Sequence, residues 1–209
     1  LVANSYHGLL YANLAPKVSM KIVNKPLAGY CGFVSSLPGD SPHRIYHDSQ
    51  YGFPLLDDNE LFGRLILEIN QAGLSWTTIL NKQDNFRKAY FNWDIQRIAN
   101  CSAEDRNALI LDAGIIRNRL KIDAAIHNAS VVLSLQKSYG SFYSWLLENK
   151  TLQKPEWIRL FKNNFRFTGA EIVNEFLMSI GFLPGAHEVN CPVHRLILLE
   201  NPVWTQQKP

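Results

Sequence analysis

Two pairs of residues at opposite ends of the chain, Cys31 with His47 and His187 with Cys191, have the types of metal ligands. His187 and Cys191 are four residues apart, so one turn can bring both to a single ion, with Zn–N near 2.0–2.1 Å and Zn–S near 2.3 Å. Together the four would complete a Cys2His2 set joining the two ends of the chain. Taken alone, a Cys and a His as far apart as Cys31 and His47 are more often a packed thiol and a surface imidazole, and their meaning depends on the second pair. The third thiol, Cys101, sits between apolar neighbours and reads as inert packing. An odd number of cysteines without tight clustering argues against a disulfide framework and for a reducing, cytoplasmic compartment.

A second feature is Glu68, set into an apolar helical face. In DDNELFGRLILEINQAGLSW, Leu61, Leu65, Glu68 and Ala72 recur at helical spacing beside Phe62, Ile66 and Ile69. An inward carboxylate must be paired, hydrogen-bonded or neutralised, because an unpaired buried charge costs several kcal/mol. Glu68 is therefore either a satisfied core residue or a pocket acid. Asp57 and Glu60 form a capping-box-like start and Gly73 a stop. Gly73, Leu74 and Trp76 then put a flexible residue, an apolar wedge and a large ring just past the helix end.

A third feature is basic. After Asp112-Ala113-Gly114 a long helical pattern resumes with Ile115, Ile116, Leu120, Ile122, Ala125 and Ile126, and it carries Arg117, Arg119 and Lys121. Backbone N–H groups at the start of a helix, where the dipole is positive, make a seat for phosphate. Arg117 and Lys121, four apart, are expected on one face. The same pattern also fits an ordinary αα-hairpin with a solvated basic face.

The elements that must hold these residues are all helical. Helices are predicted from about Thr77 to Phe91, after Ser102 (an N-cap with Asp105 in the first turn), through the basic segment, around Phe142–Leu147, and along Ile172–Ile180 up to Gly181 and Pro184. No strand alternation is visible, so the fold class is all-α. The 209 residues fit one large domain or two small lobes sharing a core, and 46% hydrophobic with 11% aromatic residues is ordinary for a globular chain. No apolar run approaches the roughly 18 residues of a membrane span. A net charge of +3 is only a weak pointer to a polyanionic partner. Residues 1–29, without an Asp or Glu, are expected to be a leader or extension, 30–200 the domain, and 201–209 a tail.

Cys31-Gly32-Phe33-Val34, Tyr46-His47-Asp48, Gly52-Phe53-Pro54, Gln71-Ala72-Gly73-Leu74-Ser75-Trp76, Asp112-Ala113-Gly114-Ile115-Ile116-Arg117 and His187-x-x-x-Cys191 occur in an order that resembles the DNA-3-methyladenine glycosylase I family. The resemblance covers roughly residues 30–191. It implies the helix-hairpin-helix DNA glycosylase fold, with a structural zinc at Cys31, His47, His187 and Cys191 joining the terminal segments. It implies a base pocket of Phe33, Tyr46, Tyr51 and Trp76, with Glu68 as the acid that hydrogen-bonds the purine edge. Gly73 and Leu74 would fill the gap left by a flipped nucleotide, while Gly114, Arg117, Arg119 and Lys121 would hold DNA. The implied enzyme is a monomer that acts on double-stranded DNA containing alkylated bases, away from membranes. It hydrolyses the N-glycosidic bond of 3-methyladenine and leaves an abasic site. A lesion-binding paralogue with the same fold and zinc is the alternative.

The chain departs from the family in four places. Phe33 and Tyr51 stand where Trp is usual, and Asn174 where another aromatic is usual. The Cys31–His47 separation is lengthened around SLPGDSP, which makes His43 a rival ligand.

Overall fold

The computed structural model describes residues 26–206, and every regular element among them is helical. The helices are α1 (Gly29–Ser35), α2 (Pro42–Ser49), α3 (Asp58–Gln71), α4 (Trp76–Leu80), α5 (Gln83–Ala89), α6 (Ile95–Ala99), α7 (Ala103–Leu111), α8 (Arg119–Tyr139), α9 (Phe142–Glu148), α10 (Lys154–Asn164), α11 (Ala170–Ser179) and α12 (Pro192–Leu199). None is long and apolar enough to cross a membrane. Of the expected leader, residues 1–25 lie outside the described residues.

α3 is the axle. It packs against α4, α5, α8, α9 and α11, and it buries Leu61, Phe62, Leu65, Ile66 and Ile69 almost completely. Its start is fixed twice. Asp57 accepts from the Glu60 amide at 2.9 Å, satisfying one of the free N–H groups of the first turn. Asp58, the next residue, caps a different helix. Its carboxylate accepts from the amides of Phe142 and Tyr143, at 2.8 and 3.0 Å, so the first turn of α9 is moored on α3. Gly63 lets the Trp93 indole lie against the helix backbone, where a Cβ would come within 2.6–2.7 Å of the ring.

A block of rings on α9–α11 and its connections fills the core beneath α3, with Phe142, Trp145, Phe161, Phe165 and Phe176 at 5.2–6.3 Å centroid spacings. The sequence stretch expected as one helix from Thr77 to Phe91 is divided between α4 and α5 by a turn at Asn81–Lys82. Lys82 leaves helical geometry there, and its ammonium donates to the carbonyls of Ala113 and Gly114 at 2.9 and 3.1 Å. Apolar spacing could not show this, because Ile79 and Phe86 keep a seven-residue interval across the break. Ser102 caps α7 in a full capping box with Asp105. Part of the expected tail returns to the body: Val203 is buried in the core and Trp204 stacks on His194.

Candidate active site

A cavity of about 300 Å³ opens beside α3, lined by Tyr30, Tyr46, Tyr51, Glu68, Gln71, Trp76 and Glu175. α2 and its C-terminal turn contribute Tyr46 and Tyr51, whose rings lie 5.5 Å apart, and Tyr46 meets Trp76 edge-on at 5.0 Å. Glu68 projects from the middle of α3, 5% exposed and with no hydrogen-bond partner among the described residues. Burial raises its carboxyl to about 8, with Arg64 pulling it down and Glu175 pushing it up. Glu175 accepts from the Tyr51 hydroxyl at 3.1 Å. The cavity thus combines flat electron-rich rings with two acids, a lining suited to a flat cation.

Phe33, expected in the pocket, is not a lining residue. It is 50% exposed and stacks on the outer side of Tyr30 at 6.3 Å. α1 meets the cavity with its N-terminal end, so Tyr30 reaches inside while Phe33, one turn on, stays outside. Tyr30 is held by His43, whose Nδ1 lies 3.0 Å from the phenol oxygen and whose Nε2 lies 2.8 Å from Thr77 Oγ1. His43 is therefore a pocket support and stands apart from the Cys31, His47, His187 and Cys191 cluster. Asn174 also lies off the cavity, against Met178; its neighbour Glu175 takes the lining position. Tyr30, Gln71 and Glu175 were not singled out from the sequence. Glu175 was detectable by the logic applied to Glu68, as an acid flanking an apolar helical face.

Gly73 and Leu74 stand exposed between Gln71 and Trp76, both lining residues, and so form the rim. Gly73 has φ +83°, a left-handed conformation open to glycine at little cost. Leu74 donates its amide to the Gln71 carbonyl at 2.7 Å, and Ser75 caps α4 immediately afterwards.

The basic segment differs from expectation. α8 begins at Arg119, after a hairpin at residues 112–118, and its N-cap Asn118 accepts from the amides of Leu120 and Lys121. Arg117 therefore sits in the hairpin, and the two residues expected on one face diverge. Arg117 and Arg119 are exposed without an ion pair among the described residues, whereas Lys121 is buried. The Gly114 amide is taken by Asp112 at 2.6 Å, but those of Ile116 and Arg117 have no partner among the described residues. The amides without a partner among the described residues thus lie in the hairpin, whereas Asn118 takes up those of Leu120 and Lys121 at the helix end.

Cys31, His47, His187 and Cys191 converge into one buried cluster, their ligand atoms all within 4.8 Å of one another, which could hold a metal ion. Sulfur–nitrogen distances are 3.4–3.8 Å. Tetrahedral zinc bonds of ordinary length would separate such atoms by roughly 3.3–3.8 Å. Both outward ring nitrogens are engaged, as metal-bound imidazoles require. His47 donates from Nδ1 to Asp48 at 2.6 Å, and His187 from Nε2 to the Tyr51 carbonyl at 2.8 Å.

Residues 38–195 match the methyladenine glycosylase family. The chain belongs to that family. It is 34% identical over 180 residues to DNA-3-methyladenine glycosylase 1 of Escherichia coli K12, covering 77% of this chain and 94% of the relative. It is 32% identical over 170 residues to the DNA-3-methyladenine glycosylase of Haemophilus influenzae Rd, covering 70% and 89%. A tyrosine-to-phenylalanine variant of 3-methyladenine DNA glycosylase I, solved with 3-methyladenine, superposes with a TM-score of 0.70 at 28% identity, over 78% of this chain and 96% of that one. The family's all-helical architecture is the one described above.

Proposed function

We infer that this chain hydrolyses the N-glycosidic bond of 3-methyladenine in DNA and releases the free base as a monofunctional glycosylase. The observation that carries this reading is the cavity itself, with Glu68 and Trp76 facing the same space among tyrosine rings, in a chain of the methyladenine glycosylase family.

N3-methylation makes the base cationic. The C1′–N9 bond is already weakened, and its electron pair departs with the base as neutral 3-methyladenine. Water adds to C1′ and gives up a proton, which leaves an abasic sugar. Extrusion of a nucleotide costs a few kcal/mol, least where pairing is already damaged. In the cavity Trp76, Tyr46 and Tyr30 would stack on the cation, and Glu68 would accept from its amino edge and stabilise developing charge near the sugar. Leu74 would enter the gap in the duplex, with Gly73 allowing the tight approach. The hairpin around Gly114, through the Ile116 and Arg117 amides and the Arg117 and Arg119 side chains, would hold backbone phosphates. Phe33 would back Tyr30 and leave contact with the base to that ring.

Zinc suits the four-residue cluster better than other common ions, since two thiolates and two imidazoles at tetrahedral spacing are its usual structural set. Held by Cys31, His47, His187 and Cys191, it would tie α1 and α2 to the segment before α12. Its contribution there is structural.

Incubation with N-methylated duplex DNA, followed by chromatography of the released bases, tests the reading. Free 3-methyladenine is the expected product. Tight binding to abasic DNA without release would instead support the lesion-binding paralogue.

A further inference from the structure

Lys121 is the one residue of the basic segment that turns away from solvent. It is 5% exposed, and its ammonium donates to the carbonyls of Asn70 at 3.0 Å and Ala72 at 2.7 Å. No carboxylate pairs with it among the described residues. A buried cation without a counter-ion is expensive, so its position requires strong compensation. That compensation is the C-terminal end of α3, where unpaired carbonyls and the negative end of the helix dipole favour a positive charge.

The carbonyls that Lys121 holds are the last before the rim. Asn70 lies two residues after Glu68, and Ala72 directly precedes Gly73 and Leu74. The carbonyl between them, on Gln71, is taken by the Leu74 amide. Thus the end of α3, where the backbone leaves the helix to form the rim, is held by one side chain from α8 and by a local turn in which the Gln71 side-chain amide also donates to the Leu74 carbonyl at 3.2 Å. α8 in turn begins directly after the hairpin at residues 112–118. A lysine in its first turn therefore ties the segment leaving the hairpin to the rim, while Lys82, after α4, holds the hairpin carbonyls of Ala113 and Gly114.

We propose that Lys121 is a positioning residue that sets the rim wedge at Gly73–Leu74 in register with the hairpin, so that a duplex held by its backbone meets Leu74 at the flipped nucleotide. This rests on the wedge and hairpin roles given under Proposed function. Lys121 contacts neither base nor phosphate. Its loss loosens the end of α3 and leaves the cavity walls on α2 and α4 in place.

The test compares Lys121→Met, Lys121→Gln, Leu74→Ala and the Lys121→Met/Leu74→Ala double variant with the parent. Each is measured for single-turnover release of 3-methyladenine from duplex DNA, for binding of free 3-methyladenine by calorimetry, and for thermal unfolding. The expected result for Lys121→Met is at least a tenfold slower release, on the order of what a small misplacement of a positioned group costs, with binding of the free base within about twofold of the parent. Lys121→Gln, which keeps one donor, should fall between, and it carries the test if the methionine variant fails to fold. In the double variant the two losses should not add, because both act on one wedge. Equal losses of release and free-base binding, or losses that add fully, would overturn the proposal. So would a borohydride-trapped adduct of Lys121 with abasic DNA, which would make the amine a nucleophile. If Leu74→Ala releases base at the parent rate, the wedge reading itself fails. If Leu74→Ala is slow and Lys121→Met is not, only the inference about Lys121 fails.

Discussion

Arg64 and Glu68 lie one helical turn apart on α3, both buried, yet no ion pair joins them. The Arg64 guanidinium instead sits over the Tyr46 ring, 5.0 Å from its centroid, and donates to the Tyr46 hydroxyl at 3.2 Å. Its charge reaches Glu68 through space and lowers that carboxyl, but burial and the nearby Glu175 win, and Glu68 stays near 8. Glu68 is therefore largely protonated at neutral pH, and a cation placed beside it would favour the ionised form.

Replacing Glu68 by Gln removes that acceptor charge. Base release from methylated duplex DNA should slow by about 100-fold, the scale on which single electrostatic groups act in hydrolytic sites. In the parent, kcat/KM should rise with pH up to about 8 and then level, because that profile reports the free enzyme. The rising limb should be absent in Glu68→Gln; a limb that persists assigns it to another group.

The same acid has a stability signature. The folded state keeps a proton on Glu68 up to about 8, whereas the unfolded chain releases it near the ordinary 4.5. Between those values the folded state binds more protons, so this group's contribution is full below 4.5 and lost as pH rises through 8. Glu68→Gln should therefore melt higher than the parent at pH 8, with the gap closing towards pH 5. Melting curves across that range check the sign.

Arg64→Met should raise the Glu68 carboxyl further and release Tyr46 from its donor. The rising limb of kcat/KM should move above pH 8, and release at pH 7 should fall by about tenfold, equivalent to roughly one pKa unit of lost stabilisation. An unchanged limb would show that Arg64 supports only packing.

The Cys31–His47–His187–Cys191 cluster touches the cavity through a hydrogen bond from His187 Nε2 to the Tyr51 carbonyl and an edge-on contact of Tyr30 with His47 at 5.7 Å. Cys191→Ser should abolish stoichiometric zinc in an elemental assay and lower the melting temperature, because binding energy at such a site is folding energy. It should also weaken free-base binding, since Tyr51 loses its anchor. Cys101→Ser, outside the cluster, should retain the metal.

Arg117 and Arg119 are the exposed cations of the hairpin region, free of ion pairs among the described residues. Each change to Ala should reduce the slope of log affinity against log salt for duplex DNA by about one, without altering which bases are released. A slope that stays constant would remove that residue from the phosphate contacts.

Periodicity in the sequence was enough to place Glu68 on an inward face, to locate the α3 stop at Gly73 and to predict an all-helical chain, because apolar spacing reports directly which side of a helix meets the core. Residue type and the family resemblance together gathered Cys31, His47, His187 and Cys191 as a candidate set, and only the structure removed the rival His43 by placing it on Tyr30 and Thr77. Tertiary structure alone decided the rest. Phe33 and Tyr30 share one face of α1, and only the direction in which that helix meets the cavity puts Tyr30 inside. Lys121 reads as a DNA-facing cation until the true start of α8, four residues beyond Ile115, turns it onto the α3 carbonyls. Glu175 and Arg64 acquire meaning only beside Glu68, since the strength of a charge depends on how deeply its neighbours are buried, and linear order does not encode burial between distant segments.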